Sequence, residues 1–176
     1  MNIVTRETAT ALWHEVVHEA EASCRIMLRE EIESYLVFLL MRYIDRPDVI
    51  RQIVALDFLQ GVESTRKMRE MVLRDVGDRC LLFAGLFPAL AETRLVRLSY
   101  FVRIGQASYF RISRKSNDLY DHLSHQFVSL MDVLQSIRRY TRENPDLLPL
   151  EAYELWQETG SERAHTLLNQ YTRHSK

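Results

Sequence analysis

The chain has 176 residues, of which 47% are hydrophobic and 27% are charged, and its formal net charge is -1. These values fit one folded domain with a single core, and they exclude an overall charge that would attract nucleic acid or an anionic membrane. Only 5 Gly and 4 Pro are present, which is few for a sheet protein with many tight turns and favours helices.

Apolar residues recur at helical spacing along nearly the whole chain, which predicts an all-α fold. Asp45 and Asn117 are suitable helix caps, and Gly160 is a helix breaker. The predicted helices cover about residues 8–23, 29–44, 45–61, 64–86, 95–113, 117–142, 149–158 and 161–171, with a turn at 143–146.

No linker is long enough to divide this series of helices into separate units. We therefore expect residues 1–176 to form a single-domain orthogonal helical bundle of about seven to eight helices, with the fourth, fifth and sixth helices at its centre. Residues 1–7 and 173–176 are expected to fray.

No targeting or membrane signal is visible in the sequence. The N-terminal residues lack a basic stretch followed by an apolar one, and the longest strongly apolar run, Tyr35 to Met41, is far shorter than the roughly 20 residues that span a bilayer. Cys24 and Cys80 lie in apolar helical patterns and are expected to be reduced core residues. We expect a cytoplasmic protein with no membrane partner.

The string His14-Glu15-Val16-Val17-His18 matches the His-Glu-x-x-His pattern of zinc peptidases. There, two histidines one helical turn apart bind zinc, and the glutamate polarises the attacking water. The apolar stripe of the first helix, centred on Val16 and Ala20, places both histidines on the opposite, polar face with Glu21. We therefore favour a solvent-exposed helix face, and a zinc site is the alternative.

A second group of potential metal ligands lies within two turns of the predicted sixth helix: Asp118, Asp121, His122 and His125. This group would bind a metal at the surface, either alone or together with the first helix if their polar faces met. Exposed polar residues on an amphipathic helix are the preferred interpretation. We therefore predict no cofactor.

The segment from Arg94 to Lys115 contains six basic residues, no acidic residue and four interleaved aromatic residues. Such a pattern is typical of surfaces that bind nucleic-acid backbones and stack bases. The same helix is apolar on nearly every side, so we expect its aromatic residues in the core. The basic residues are Arg94, Arg97, Arg103, Arg111, Arg114 and Lys115, and the aromatic residues are Tyr100, Phe101, Tyr109 and Phe110.

The string Gly77-Asp78-Arg79 comes just before an apolar run in the predicted fourth helix. Glycine inside a helix costs about 0.5–1 kcal/mol against alanine, so it usually marks close packing. With Gly85 and Gly105, it predicts that the fourth and fifth helices cross closely. Asp78 and Arg79 would then form a polar group in the core, with Arg103 as the partner of Asp78.

Three strings of the chain are distinctive: residues 35–42 (YLVFLLMR), 76–88 (VGDRCLLFAGLFP) and 100–109 (YFVRIGQASY). They resemble strings of a family of bacterial helical proteins to which no activity is assigned. The resemblance covers roughly residues 10–140 and implies a bacterial origin and an all-α fold, but no catalytic residues. The His14–His18 string is not among the family's hallmarks.

From these patterns the leading hypothesis is a non-catalytic helical domain for protein interaction or regulation, with itself as one expected partner in a homo-oligomer. One alternative is a zinc-dependent hydrolase that uses His14, Glu15 and His18. The other is a binder of nucleic acid or another polyanion through residues 94–115, although we expect protein rather than nucleic acid as the partner.

Overall fold

The computed structural model describes residues 2–43, 54–63, 65–88, 96–140 and 147–173. Within these ranges the chain forms nine α-helices and no strand, which confirms the predicted all-α helical bundle. The described helices are α1 (Asn2–Cys24), α2 (Glu30–Tyr43), α3 (Val54–Glu63), α4 (Arg66–Leu86), α5 (Leu98–Ile112), α6 (Leu119–His125), α7 (Phe127–Tyr140), α8 (Pro149–Thr159) and α9 (Glu162–Arg173). No helix in these ranges is both long and apolar enough to cross a membrane.

Helices α4 and α5 pack closely in an antiparallel arrangement. Phe83 lies against Phe101 with ring centroids 4.4 Å apart, and a Cβ added to Gly77 would lie 2.6 Å from the Tyr109 ring. One further contact, from Arg114 just beyond α5 to Glu70, extends this register. The start of α4 and the end of α5 therefore lie at the same end of the bundle.

Helix α1 buries part of the predicted face, including Ala20, together with a polar residue that was not expected there. Val17, Ala20 and Glu21 are buried, whereas Val16 is half-buried. Glu21 was placed on the polar face, and that prediction is wrong. Its carboxylate accepts a hydrogen bond of 2.6 Å from the backbone N–H of Leu28 and so holds the connection from α1 to α2. The helix also begins at Asn2 rather than near Thr8, because no glycine or proline interrupts residues 2–8.

The predicted sixth helix is two helices, α6 and α7, which are separated at Gln126. Gln126 has φ -95° and ψ 10°, outside the helical region. The break allows Phe127 to pack onto α5, where it would overlap a Cβ on Gly105. Asp118, not Asn117, caps α6 by accepting a hydrogen bond of 2.8 Å from the backbone N–H of Asp121. Asn117 instead adopts a positive φ of 65° just before the helix.

Helices α8 and α9 follow the prediction closely. Gly160 ends α8 in the left-handed conformation, with φ 72°. Ser161 then caps α9 by accepting a hydrogen bond of 3.1 Å from the N–H of Ala164, and its own hydroxyl donates to Asp132 at 2.6 Å. Burial raises the pKa of Asp132 to about 6. The predicted cap Asp45, the start of the third helix and the turn at 143–146 lie outside the described residues.

Candidate anion-binding surface

The two histidines of the zinc-peptidase string make separate contacts and do not converge on one site. His18 is 81% exposed and lies 3.8 Å from Glu21, while His14 Nδ1 lies 3.0 Å from Glu33 Oε1 on α2. Glu15 is exposed. The half-buried position of His14 differs from the solvent-exposed one that the sequence predicts, because α2 packs beside that face of α1.

The second histidine group is also divided between separate contacts. His122 is buried, and its Nε2 lies 2.8 Å from Nη1 of Arg29. His125 is exposed, and its Nδ1 lies 2.8 Å from the backbone carbonyl oxygen of Asp121. In the described parts of the chain, no three or more His, Cys, Asp or Glu residues are grouped so that they would hold a metal ion.

Asp78 is at the centre of a buried polar cluster between α2, α4 and α5. Only 1% of its surface is exposed, and its Oδ1 accepts hydrogen bonds from the hydroxyls of Tyr35 at 2.5 Å and Tyr109 at 2.8 Å. Burial raises the pKa of Asp78 to about 6, although the two hydroxyls and then Arg42 lower it. Asp78 therefore joins three helices through hydrogen bonds to a carboxyl group that ionises less readily than an exposed one.

The predicted partner of Asp78 is wrong. Arg103 is exposed, whereas its neighbours Phe101 and Gly105 form the buried side of α5. Arg103 lies two positions from each of these residues. Because successive residues turn by about 100° around a helix, its side chain points away from α4. Arg42 on α2 lies close to Asp78 instead, with its Nη1 3.8 Å from Oδ2.

Gly77 and Gly105 lie at the predicted crossing of α4 and α5, but Gly85 does not. Arg79 is buried, and its Nε lies 2.9 Å from Oδ2 of Asp75 one turn earlier in α4. A Cβ on Gly105 would lie 3.0 Å from Cβ of Cys80, so α5 approaches α4 closely there. Gly85 approaches Leu134 of α7 instead, which makes it part of a different crossing.

The basic segment 94–115 does not form one surface. Arg97 pairs with Glu158 of α8, while Arg103 is exposed at another place along α5. Arg111, Arg114 and Lys115 come together at the C-terminal end of α5. Arg94 lies outside the described residues. Phe101 and Tyr109 are core residues as expected, but Tyr100 and Phe110 are exposed.

Two of the three basic residues at the end of α5 share a cavity with two arginines from the start of α4. A cavity of about 330 Å³ is lined by Arg66 and Arg69 of α4 together with Arg111 and Arg114, and Glu70 is its one acidic lining residue. We use the name basic surface for Arg66, Arg69, Arg111, Arg114 and Lys115. Arg114 Nη2 lies 2.5 Å from Glu70 Oε2, and Arg111 lies over the Phe58 ring, 5.8 Å from its centroid.

A second, wider cavity of about 860 Å³ continues the basic surface. It shares Arg111, Ser113 and Arg114 with the first cavity and adds Lys115 and Phe110. The two cavities together are lined by five cationic side chains and two carboxylates, those of Glu70 and Asp121. Among the residues that line the two cavities the excess is therefore three positive charges, on a chain whose formal net charge is -1. The carboxylate of Asp118 lies beside them and accepts a hydrogen bond of 2.6 Å from the backbone N–H of Arg114.

The N-terminus of α4 adds to this positive character. Its first turn contains no acidic residue, and the side chain of Thr65, at the N-cap position, makes no capping hydrogen bond. The N–H groups at a helix start and the aligned peptide dipoles attract anions. Acidic residues normally occupy the first turn of a helix, whereas α4 has Arg66, Lys67 and Arg69 there. This departure is the sequence signal that would have added the start of α4 to the basic segment 94–115.

A third cavity, of about 280 Å³, lies beside α8 and has the opposite charge. It is lined by apolar residues such as Leu147 and Leu155 and by three glutamates, Glu151, Glu154 and Glu158, with Arg97 as the cation. Arg97 already pairs with Glu158 and lies 3.8 Å from Glu154. This cavity shows no excess of positive charge and is separate from the basic surface.

In comparisons with known proteins, no family model, no curated protein and no solved structure matches the chain. The resemblance of three strings to a bacterial helical family therefore stays an expectation.

Proposed function

We propose that this chain is a non-catalytic binding protein whose partner is a phosphate-bearing polymer held on the basic surface. The observation that carries the proposal is the excess of three positive charges among the residues that line the two cavities where α4 begins and α5 ends. Guanidinium groups match the geometry of phosphate oxygens, and the start of α4 attracts the same charge. This departs from the protein partner that the sequence alone favours.

The shape of the basic surface supports a polymer rather than one small ion. The two cavities share Arg111, Ser113 and Arg114, so the cations form a continuous track. A single phosphate would contact only part of that track. A chain of phosphates would follow it and neutralise Arg66 at one end and Lys115 at the other.

The expected affinity follows from the exposure of these side chains. Exposed charge contacts contribute about 0.2–1 kcal/mol each, so no single arginine should dominate binding. Release of counterions from the polymer adds to them and makes binding depend on salt. We expect dissociation constants on the order of 10⁻⁶–10⁻⁴ M at physiological salt, as for other sequence-independent binding to phosphate backbones.

Binding of inorganic polyphosphate and of a labelled oligothymidylate, measured by fluorescence anisotropy and competition, tests the proposal. Arg66→Gln and Arg111→Gln should each weaken both interactions about two- to fivefold. Arg103→Gln is the matched control, because Arg103 is an exposed arginine on α5 that lines neither cavity of the basic surface. The proposal is overturned if neither polymer binds at low salt, or if the control weakens binding as much as the other two variants.

The sequence-based hypothesis of self-association is a second candidate, and one feature of α8 favours it. Leu148, Leu150 and Tyr153 are exposed apolar side chains at the start of this helix, next to the cavity of about 280 Å³. A patch carried by every copy can meet itself across a two-fold axis. A mass measurement in solution should then show a dimer that Leu150→Glu dissociates, and a strict monomer at high concentration excludes this candidate.

A further inference from the structure

Phe110 is an exposed aromatic ring within the positively charged region. It is 63% exposed, and it lines the same wide cavity as Arg111, Arg114 and Lys115. The aromatic residues Phe101 and Tyr109 of the same helix are buried in the core. Packing in the core therefore explains the presence of aromatic rings at those two positions, but it does not explain the ring of Phe110.

A flat apolar ring beside several cations matches one class of phosphate polymer. In single-stranded nucleic acid the charged phosphates alternate with bases whose faces are free to stack on an aromatic side chain. Inorganic polyphosphate has no rings, and a duplex keeps its base faces stacked inside the helix. Arg111 and Arg114 would contact phosphates while Phe110 contacts a base face.

From this arrangement we infer that the polymer bound on the basic surface is single-stranded nucleic acid, with Phe110 as a stacking platform for one base. The inference rests on the proposed function, and it names the partner class of that same surface. It requires no sequence preference, because every base has a face that can stack. It predicts that the chain binds a single strand more tightly than a duplex or a polyphosphate of matched charge.

The test is the affinity of the Phe110→Ala variant for oligothymidylate and for inorganic polyphosphate. Loss of one stacked base should weaken oligothymidylate binding about five- to 150-fold and leave polyphosphate binding unchanged. Phe110→Trp should retain or increase the affinity for oligothymidylate. The matched control is Phe38→Ala, which should leave the affinity for both polymers unchanged. Phe38 is a phenylalanine of similar exposure, 58%, on α2, and it lines neither cavity of the basic surface.

The outcomes separate this inference from the proposed function. If both polymers bind and Arg66→Gln weakens both, but Phe110→Ala spares oligothymidylate binding, the stacking inference is overturned and the phosphate-binding proposal stands. Equal loss of both polymers in Phe110→Ala also overturns the inference, as does tighter binding to duplex than to single strand. If neither polymer binds the wild-type chain, both ideas fail. Far-UV circular dichroism checks that each variant keeps its helical content.

Discussion

Replacing Asp78 by asparagine tests the consequence of burying a carboxyl group between three helices. Burial raises its pKa from the ordinary 3.8 to about 6, so the folded state favours the protonated acid. The contribution of this group to stability is therefore fully present below pH 3.8 and is lost as the pH rises through about 6. The difference between these two pKa values of Asp78 corresponds to about 3 kcal/mol of stability, at about 1.4 kcal/mol for each pKa unit.

The Asp78→Asn variant has no such titration, and its amide oxygen keeps an acceptor for the hydroxyls of Tyr35 and Tyr109. Its free energy of unfolding, compared with that of the wild type, should therefore rise by about 2.4 kcal/mol between about pH 4 and about pH 7, and the rest of the change falls outside this window. Urea unfolding followed by circular dichroism, repeated at closely spaced pH values, measures this difference. Each unfolding curve should be a single transition with a similar slope in both proteins.

Subtracting the free energy of unfolding of the wild type from that of the variant cancels the titrations that both proteins share, including that of the buried Asp132. A difference that stays constant with pH would show that Asp78 ionises in the folded chain as it does in the unfolded one. A difference that moves in favour of the wild type as the pH rises would mean that its cationic and hydroxyl neighbours outweigh burial. Either result would refute the reasoning.

Two further substitutions test the crossing of α4 with α7 at Gly85 and the hydrogen bond from Tyr109 to Asp78. Gly85→Ala should destabilise the chain by about 1–3 kcal/mol in urea unfolding, because the added Cβ overlaps the Cβ of Leu134. The cost of this overlap exceeds the gain from the better helix propensity of alanine. A gain in stability would contradict the close crossing of α4 and α7. Tyr109→Phe should cost about 1–3 kcal/mol at neutral pH, since Asp78 loses one of its two hydroxyl donors. Tyr153→Phe, at an exposed tyrosine, is the control and should change stability by less than about 0.5 kcal/mol.

The helix positions were largely predictable because apolar periodicity and breakers are local signals. The bounds of α2 and α8 lie within about one residue of the prediction. The break at Gln126 was not predictable, because no glycine or proline marks it and it depends on packing of Phe127 against α5. The buried face of α1 was partly misjudged because apolar residues occur on both sides of that helix, as Leu12 and Val17 show.

The candidate site shows the same division between local and tertiary information. The basic run at the end of α5 is visible in the sequence, and so is the burial of Asp78, which follows from its glycine neighbour and the apolar run. What joins Arg66 to Arg111 is the antiparallel register of α4 and α5, which no local pattern reveals. The partner of Asp78 was missed for a similar reason, since Tyr35 comes from α2, far away along the chain.

The salt dependence of oligothymidylate binding tests the central claim, that the basic surface holds a phosphate polymer, most directly. For about three to five phosphate contacts, the logarithm of the binding constant should fall with the logarithm of the salt concentration with a slope of about -2 to -3.5. The Arg66→Gln/Arg111→Gln double variant should reduce the steepness by about 1.4, while Arg103→Gln leaves it unchanged. Binding that is independent of salt, or a slope that the double variant does not alter, would contradict the claim.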